Sequence, residues 1–185
     1  PGRSTSAPLA SNLNFSVGET VANLVKVGLS QGGQITVVTN VKSADVIVDV
    51  EGYVSALPTA GQGLYDGLAP ARICDTRSSS LPVNQCTGKT MKPNSTMTVQ
   101  VAGLGGVPAN AEAVAVNVTV TDTTAAGYLT VFPGGARPTA SNLNWASGRT
   151  VPNLVVVELN SSGGLTLYNY AGSTDVVLDV LGYYT

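Results

Sequence analysis

The sequence predicts an all-β protein, an antiparallel β-sandwich or barrel-like set of repeat domains with one partial and one complete copy of the repeat. Three observations carry that reading. β-Branched residues dominate the apolar runs, while Gly, Pro and Asn interrupt them about every 8 to 12 residues, as turns between short strands do. No stretch shows the 3.6-residue period of an amphipathic helix. The chain also repeats itself: Ser11 to Val54 aligns without a gap on Ser141 to Tyr184, at a constant offset of 130 positions, with nearly half of the pairs identical.

The repeat sets the domain boundaries. Residues 1–56 form the partial copy, which lacks the first part of the repeat. Residues 57–63 lie in the linker-like stretch SALPTAGQG, and residues 64–185 form the complete copy. Within the partial copy, VANLVKVGL alternates so that Val21, Asn23, Val25, Val27 and Leu29 share one face of a strand. DVIVDV sets Val46, Val48 and Val50 against Asp45, Ile47 and Asp49. The complete copy reproduces both patterns, with Val151, Asn153, Val155, Val157 and Leu159 on one face and Asp175 to Val180 as the later strand. Further strands are expected at Met97 to Ala102, Ala113 to Thr121 and Tyr128 to Phe132. In the middle strand Val114, Val116, Val118 and Val120 should cover the Val-rich strands that follow.

Composition narrows the functional classes. Charged residues are 11% of the chain and the net charge is −2 with no run of either sign, so no basic footprint for nucleic acid or an anionic membrane exists. Apolar residues reach 43%, but none of their runs approaches the ~18 needed for a spanning helix, so membrane insertion is not expected. No signal peptide is visible; the chain opens inside a repeat, and a natural N-terminus is expected to lie upstream. Histidine is absent, which removes the Ser-His-Asp and Cys-His engines and the commonest metal ligand. Neither an enzyme, nor a metal site, nor a cofactor is expected. Asp45/Asp49 and Asp175/Asp179 could share a strand face as glycosidase carboxylates do. Lying in Val-rich strands beside turns, they are better read as capping or pairing groups, and no dense Asp-rich loop suits calcium.

Cys74 and Cys86 flank the turn-rich DTRSSSLPVNQ and are read as a disulfide, which would contribute about 3 kcal/mol in the chain-entropy model. Two buried thiols are the alternative. The disulfide reading implies an oxidising, extracellular location. Arg72, Asp75 and Arg77 sit where charge pairs pin a loop to a sandwich edge; Arg72 and Arg77 are also candidates to grip a sugar carboxylate or a peptide terminus. Trp145, Tyr168 and Tyr170 are candidate sugar-stacking residues, although Trp145 and Phe15 read equally as equivalent core residues. The partial copy puts Phe15, Val38 and Asn40 in their places, so a carbohydrate site belongs to the complete copy. Asn23 and Asn153, on otherwise apolar faces, need partners across a turn or bulge. Asn12, Asn14, Asn142 and Asn144 alternate with leucines as an amide-lined turn would.

LAPARICDTR at Leu68 to Arg77, together with SNLN, NLV and DVVLDVLGYY in the second copy, resembles a tandem β-repeat of secreted and cell-wall-associated proteins of actinobacteria and related bacteria. Such repeats are often appended to hydrolases such as peptidoglycan amidases or proteases. The resemblance covers almost the whole chain and implies an extracellular accessory module, structural or adhesive, alternatively one that binds cell-wall or plant polysaccharide. It supplies no ligand residues. Cys74 departs from it, standing where such repeats carry an aliphatic residue. Because the partial copy lacks counterparts of Leu68 to Phe132, its Val-rich face would be bare, a state soluble proteins avoid. Three remedies are open. The two related halves could pack around a shared middle segment as one pseudo-symmetric domain, or the missing strands could lie upstream of Pro1. Self-association or tandem copies, with strand complementation between chains building a filament, is the third and the one favoured.

Overall fold

The computed structural model describes residues 11–39, 43–54, 63–82 and 84–185. Eight strands follow in order: β1 (Tyr65–Asp75), β2 (Ser95–Gln100), β3 (Ala113–Thr121), β4 (Gly127–Phe132), β5 (Leu143–Trp145), β6 (Val151–Glu158), β7 (Gly164–Asn169) and β8 (Asp175–Tyr184). No helix occurs among the described residues, and none is therefore long and apolar enough to cross a membrane. One four-stranded sheet runs β1-β8-β3-β6 and the other β2-β7-β4-β5, every pairing antiparallel. The strands exchange sheets along the chain, so the two sheets share one core, as in a β-sandwich.

Alternation builds that core. Val114, Val116, Val118 and Val120 of β3 are fully buried, as are Val176, Leu178 and Val180 of β8 beside them. Val99 of β2, Leu129 of β4, Leu143 of β5 and Leu165 and Leu167 of β7 answer from the second sheet. On β6, Val155 and Val157 point inward with Leu159 just beyond, while Leu154 faces out, which is the parity the sequence sets. Burial of one such side chain stabilises by about 1.5–3 kcal/mol, and a register slip of one residue would turn the whole set to solvent.

β1 is a strand that periodicity does not reveal. Pro70 cannot donate to a ladder, and β1 accommodates it where its register against β8 jumps between Gly67 and Ala71, with a second jump between Arg72 and Cys74. The Tyr65 ring packs over Gly182 on β8: a Cβ at that position would lie 2.5 Å from the ring, which would have to swing aside. Cys74 and Cys86 form the disulfide, both fully or almost fully buried, so that alternative thiols do not arise.

The first copy differs from expectation. Residues 11–39 and 43–54 contain no strand, although VANLVKVGL and DVIVDV carry strand patterning. Alternation marks a face to be buried, but a ladder also needs a neighbour to bond, and the strands that flank the equivalent residues of the second copy have no counterpart among the described residues. The expected linker, 57–63, lies outside the described residues apart from Gly63.

Candidate functional site

The DTR motif is a structural clasp. Asp75 is 1% exposed; its carboxylate accepts from Arg77 Nε at 3.0 Å, Arg77 Nη2 at 2.7 Å and the Arg77 backbone N–H at 3.1 Å. Arg72 Nη1 stands 3.5 Å away. Hydrogen bonding from Arg77 holds the Asp75 carboxyl below the usual carboxylate range, and the Asp75 contact raises the Arg77 guanidinium in turn. Thr76, fully buried, extends the β1–β8 ladder with its side chain. Its backbone N–H donates to Val176 O, and its hydroxyl accepts from the Val176 N–H at 2.8 Å while donating to Asp175 Oδ1 at 2.7 Å. Arg72 grips Asp179 with two bonds, Nε to Oδ1 at 2.9 Å and Nη2 to Oδ2 at 3.2 Å, and that contact raises its own pKa. Arg72 and Arg77 are thus both engaged within the fold, as are Asp175 and Asp179.

The disulfide loop is tied down by amides. Asn84 Oδ1 accepts from the backbone of Asp75 and of Cys86. Gln85 donates to Ile73 O and Gln100 O and accepts from the Gln100 N–H, so its amide occupies the free edge of β2.

The outer face of the second sheet carries the aromatics. Tyr128 and Tyr170 stack with centroids 4.7 Å apart and planes inclined by 12°. Tyr168 sits beside Tyr128 at 6.2 Å, donates its hydroxyl to Asn94 Oδ1 at 2.7 Å, and is roofed by Arg137, whose guanidinium carbon lies 4.1 Å above the ring. Arg137 also donates to the Tyr128 hydroxyl at 3.3 Å. Tyr170 is 52% exposed, whereas Tyr168 is largely covered. Trp145 is only 6% exposed and donates its indole N–H to Ala125 O, which makes it a core residue that offers no ring face to a ligand. The structure therefore gathers Tyr168 and Tyr170 from the sequence candidates, separates them from Trp145, Arg72 and Arg77, and adds Tyr128 and Arg137. The missing signal was register: Tyr128 reaches this cluster because Leu129 pairs with Asn169 and Thr130 with Tyr168 across β4 and β7.

The third feature is the first copy. Its turns match those of the second residue for residue. Asn23 Nδ2 donates to Asn12 O at 2.6 Å, and Asn153 Nδ2 to Asn142 O at 2.7 Å. Ser30 and Gln34 close a turn through Gly33 as Asn160 and Gly164 do through Gly163, and Gly33 and Gly163 have φ of 72° and 75°. Burial is where they part. Val46, Val48 and Val50 are 56%, 57% and 84% exposed, while their counterparts Val176, Leu178 and Val180 are at 0%. Val25, Val27, Leu29, Ile35 and Val37 are likewise exposed, against buried Val155, Val157, Leu159, Leu165 and Leu167. Among the described residues Glu51 ties the first copy to the second: its carboxylate accepts from Asn142 Nδ2 at 2.6 Å and from the Val156 backbone, and desolvation there raises its pKa.

Among the described residues no group of three or more His, Cys, Asp and Glu could hold a metal ion. A groove beside Lys89, Met91, Lys92, Ser95 and Met97 has a volume of about 230 Å³, below the ~300–1,000 Å³ usual for small-molecule pockets. No protein-family model matches the chain, and no curated protein matches it.

Proposed function

We propose that the chain is a non-catalytic, extracellular structural or adhesive module, one length of a tandem β-repeat that assembles with neighbouring copies or subunits by strand complementation. A single observation carries this: the first copy has the turns of the second yet presents as bare surface the positions that the second buries. A face of that kind is an unfinished joint, and soluble proteins keep such faces only where something covers them. The buried disulfide and the weakly charged surface support an oxidising, external setting. The repeat signatures support placement among secreted and cell-wall-associated repeats of actinobacterial type. The test is sizing by light scattering with and without residues 1–56, together with assay of the full chain on a panel of glycans and peptides. Assembly that depends on residues 1–56, without hydrolysis, is expected. Hydrolysis lost on Asp179→Asn would refute the non-catalytic reading.

A second reading, a glycan-binding accessory module for cell-wall or plant polysaccharide, draws on the Tyr128–Tyr170 stack beside Arg137. An exposed tyrosine face suits the apolar face of a sugar ring, and a guanidinium suits its hydroxyls or a carboxylate. Retention on insoluble peptidoglycan, chitin or cellulose that is lost with Tyr170→Ala would favour it. Retention that survives this substitution would count against it.

A further inference from the structure

Charge is divided between the two sheets. No strand of the second sheet contains a charged residue. Every acidic residue of 63–185 lies in a strand of the first sheet or, as Glu112 and Asp122 do, at an end of β3. The first copy's Glu51 reaches the second sheet only near its β5 edge, where Asn142 and the Val156 backbone hold it. Two cations border the tyrosines on the outer face. Arg137 lies over Tyr168, and exposed Lys92 belongs to the loop whose Asn94 accepts the Tyr168 hydroxyl.

Arg137 is held in place and left without a counter-ion. The loop from β4 to β5 turns back through Gly134 and Gly135, with φ of 134° and 75°, and the Thr130 hydroxyl ties it down by donating to Ala140 O at 2.9 Å. The guanidinium carbon then stands 4.1 Å from the Tyr168 ring centroid, and Nη1 donates to the Tyr128 hydroxyl at 3.3 Å. A guanidinium has five N–H donors, and among the described residues this exposed one makes no further hydrogen bond and no ion pair. A planar fork already seated on a ring loses little freedom when an anion arrives, and its parallel N–H groups match a carboxylate. Beside it Tyr170, stacked on Tyr128, is 52% exposed and offers apolar area. Anion and ring face are thus wanted within one ligand residue. A uronic acid meets that demand, because its carboxylate is carried on the pyranose ring itself; a neutral sugar leaves the fork unused, and a polyol phosphate brings no ring.

We infer that Tyr128, Tyr168, Tyr170 and Arg137 form a binding site for a uronic acid residue of an acidic polysaccharide, with the pyranose against the exposed tyrosine and its carboxylate on the Arg137 fork. This inference rests on the glycan-binding reading above and names the sugar class. The net charge of −2 works against general attraction to a polyanion, so the recognition is local to this face.

Affinity electrophoresis of the full 185-residue chain tests it, in gels containing polygalacturonate, polyglucuronate, methyl-esterified polygalacturonate, hydroxyethylcellulose or poly(glycerol phosphate). Retardation by a free uronate is expected, the first two arms telling a galacto- from a gluco-configured source. Esterification should weaken it about tenfold or more, the fold-change of one charge-assisted contact, and this arm uses the unaltered chain. Arg137→Ala should weaken uronate binding by a similar factor, with Arg137→Lys in between because it keeps the charge and loses the fork. Tyr170→Ala should weaken binding to every sugar polymer that retards the parent. Equal retardation by free and esterified polymer, or by parent and Arg137→Ala, overturns the inference, as does stronger retardation by poly(glycerol phosphate). If retardation by hydroxyethylcellulose or the ester matches that by uronate and Tyr170→Ala still abolishes it, the acid class falls while the glycan reading stands. If no sugar polymer retards the chain, both fall.

Discussion

Replacing Asp75 by alanine tests whether the clasp, and not only the disulfide, holds β1 to the sandwich. The carboxylate is almost fully buried and takes two side-chain bonds and one backbone bond from Arg77, with Arg72 at the limit of contact. Charge-assisted bonds contribute about 1.5–3 kcal/mol each, and an orphaned buried backbone N–H costs about 1 kcal/mol more. The two guanidiniums are 47% and 41% exposed, so both regain water when the carboxylate is lost, which offsets part of that sum. The expected loss is about 3 kcal/mol, the low end for breaking a buried pair. For a folded unit of this size that corresponds to a fall in Tm of roughly 10 °C. Thermal unfolding followed by circular dichroism measures it, with Asp75→Asn intermediate, since the amide retains an acceptor. In an Arg77→Ala background the Asp75→Ala cost should shrink by at least about 1 kcal/mol. The sign with pH follows from the lowered carboxyl pKa. Its contribution is complete above the ordinary carboxylate value of about 4 and is lost as pH falls through the folded value, so Asp75→Asn should flatten acid unfolding below pH ~4. A loss under about 1 kcal/mol, or an unchanged cost without Arg77, would refute the clasp.

Removing the disulfide with Cys74→Ala and Cys86→Ala should cost about 3 kcal/mol by the loop-closure argument, read as a lower urea midpoint in the double variant than in the parent. Asn153→Ala strips the bond to Asn142 O and should lose about 1–2 kcal/mol, while Asn23→Ala, among exposed residues, should change the same thermal scan by less than about 0.5 kcal/mol. Glu51 has its pKa raised by desolvation, so its docked form binds a proton more readily than its free form. Docking is therefore favoured as pH falls toward about 4 and is weakened as pH rises through the raised value. Amide exchange of Val156 should be slower near pH 4 than near pH 7 once corrected for intrinsic rates, and Glu51→Gln should remove the difference.

How much was legible in the sequence depended on whether a strand has one wet face. β3 alternates strictly and was read to the residue, and β6 and β8 were read from their repeat partners. β7 carries no such signal, because every residue of Gly164–Asn169 is buried and no alternation survives. β1 carries none either, because Pro70 and two register shifts break its period; its residues stand out only as a motif, of which Asp75, Thr76 and Arg77 close the strand onto β8. The aromatic cluster was half legible. Tyr168 and Tyr170 stood out as tyrosines absent from the first copy, but Tyr128 and Arg137 join them only through cross-strand register and a loop return, which composition does not encode.

The first copy marks the limit of local sequence. Its apolar alternation, its glycines at positive φ and its Asn-to-carbonyl tie are those of the second copy, and the turns form accordingly because every partner in them lies within about a dozen residues. Its strands do not form, because a strand is satisfied by bonds from a neighbour and by apolar cover from a facing sheet, and neither is supplied to it among the described residues. Turn geometry is thus a property of the segment and strand geometry a property of the pair. It follows that supplying β1 and β3 should convert residues 45–54 into a strand without altering the turns at Gly18 and Gly33, since those are already in the conformation that Gly148 and Gly163 hold in the finished copy.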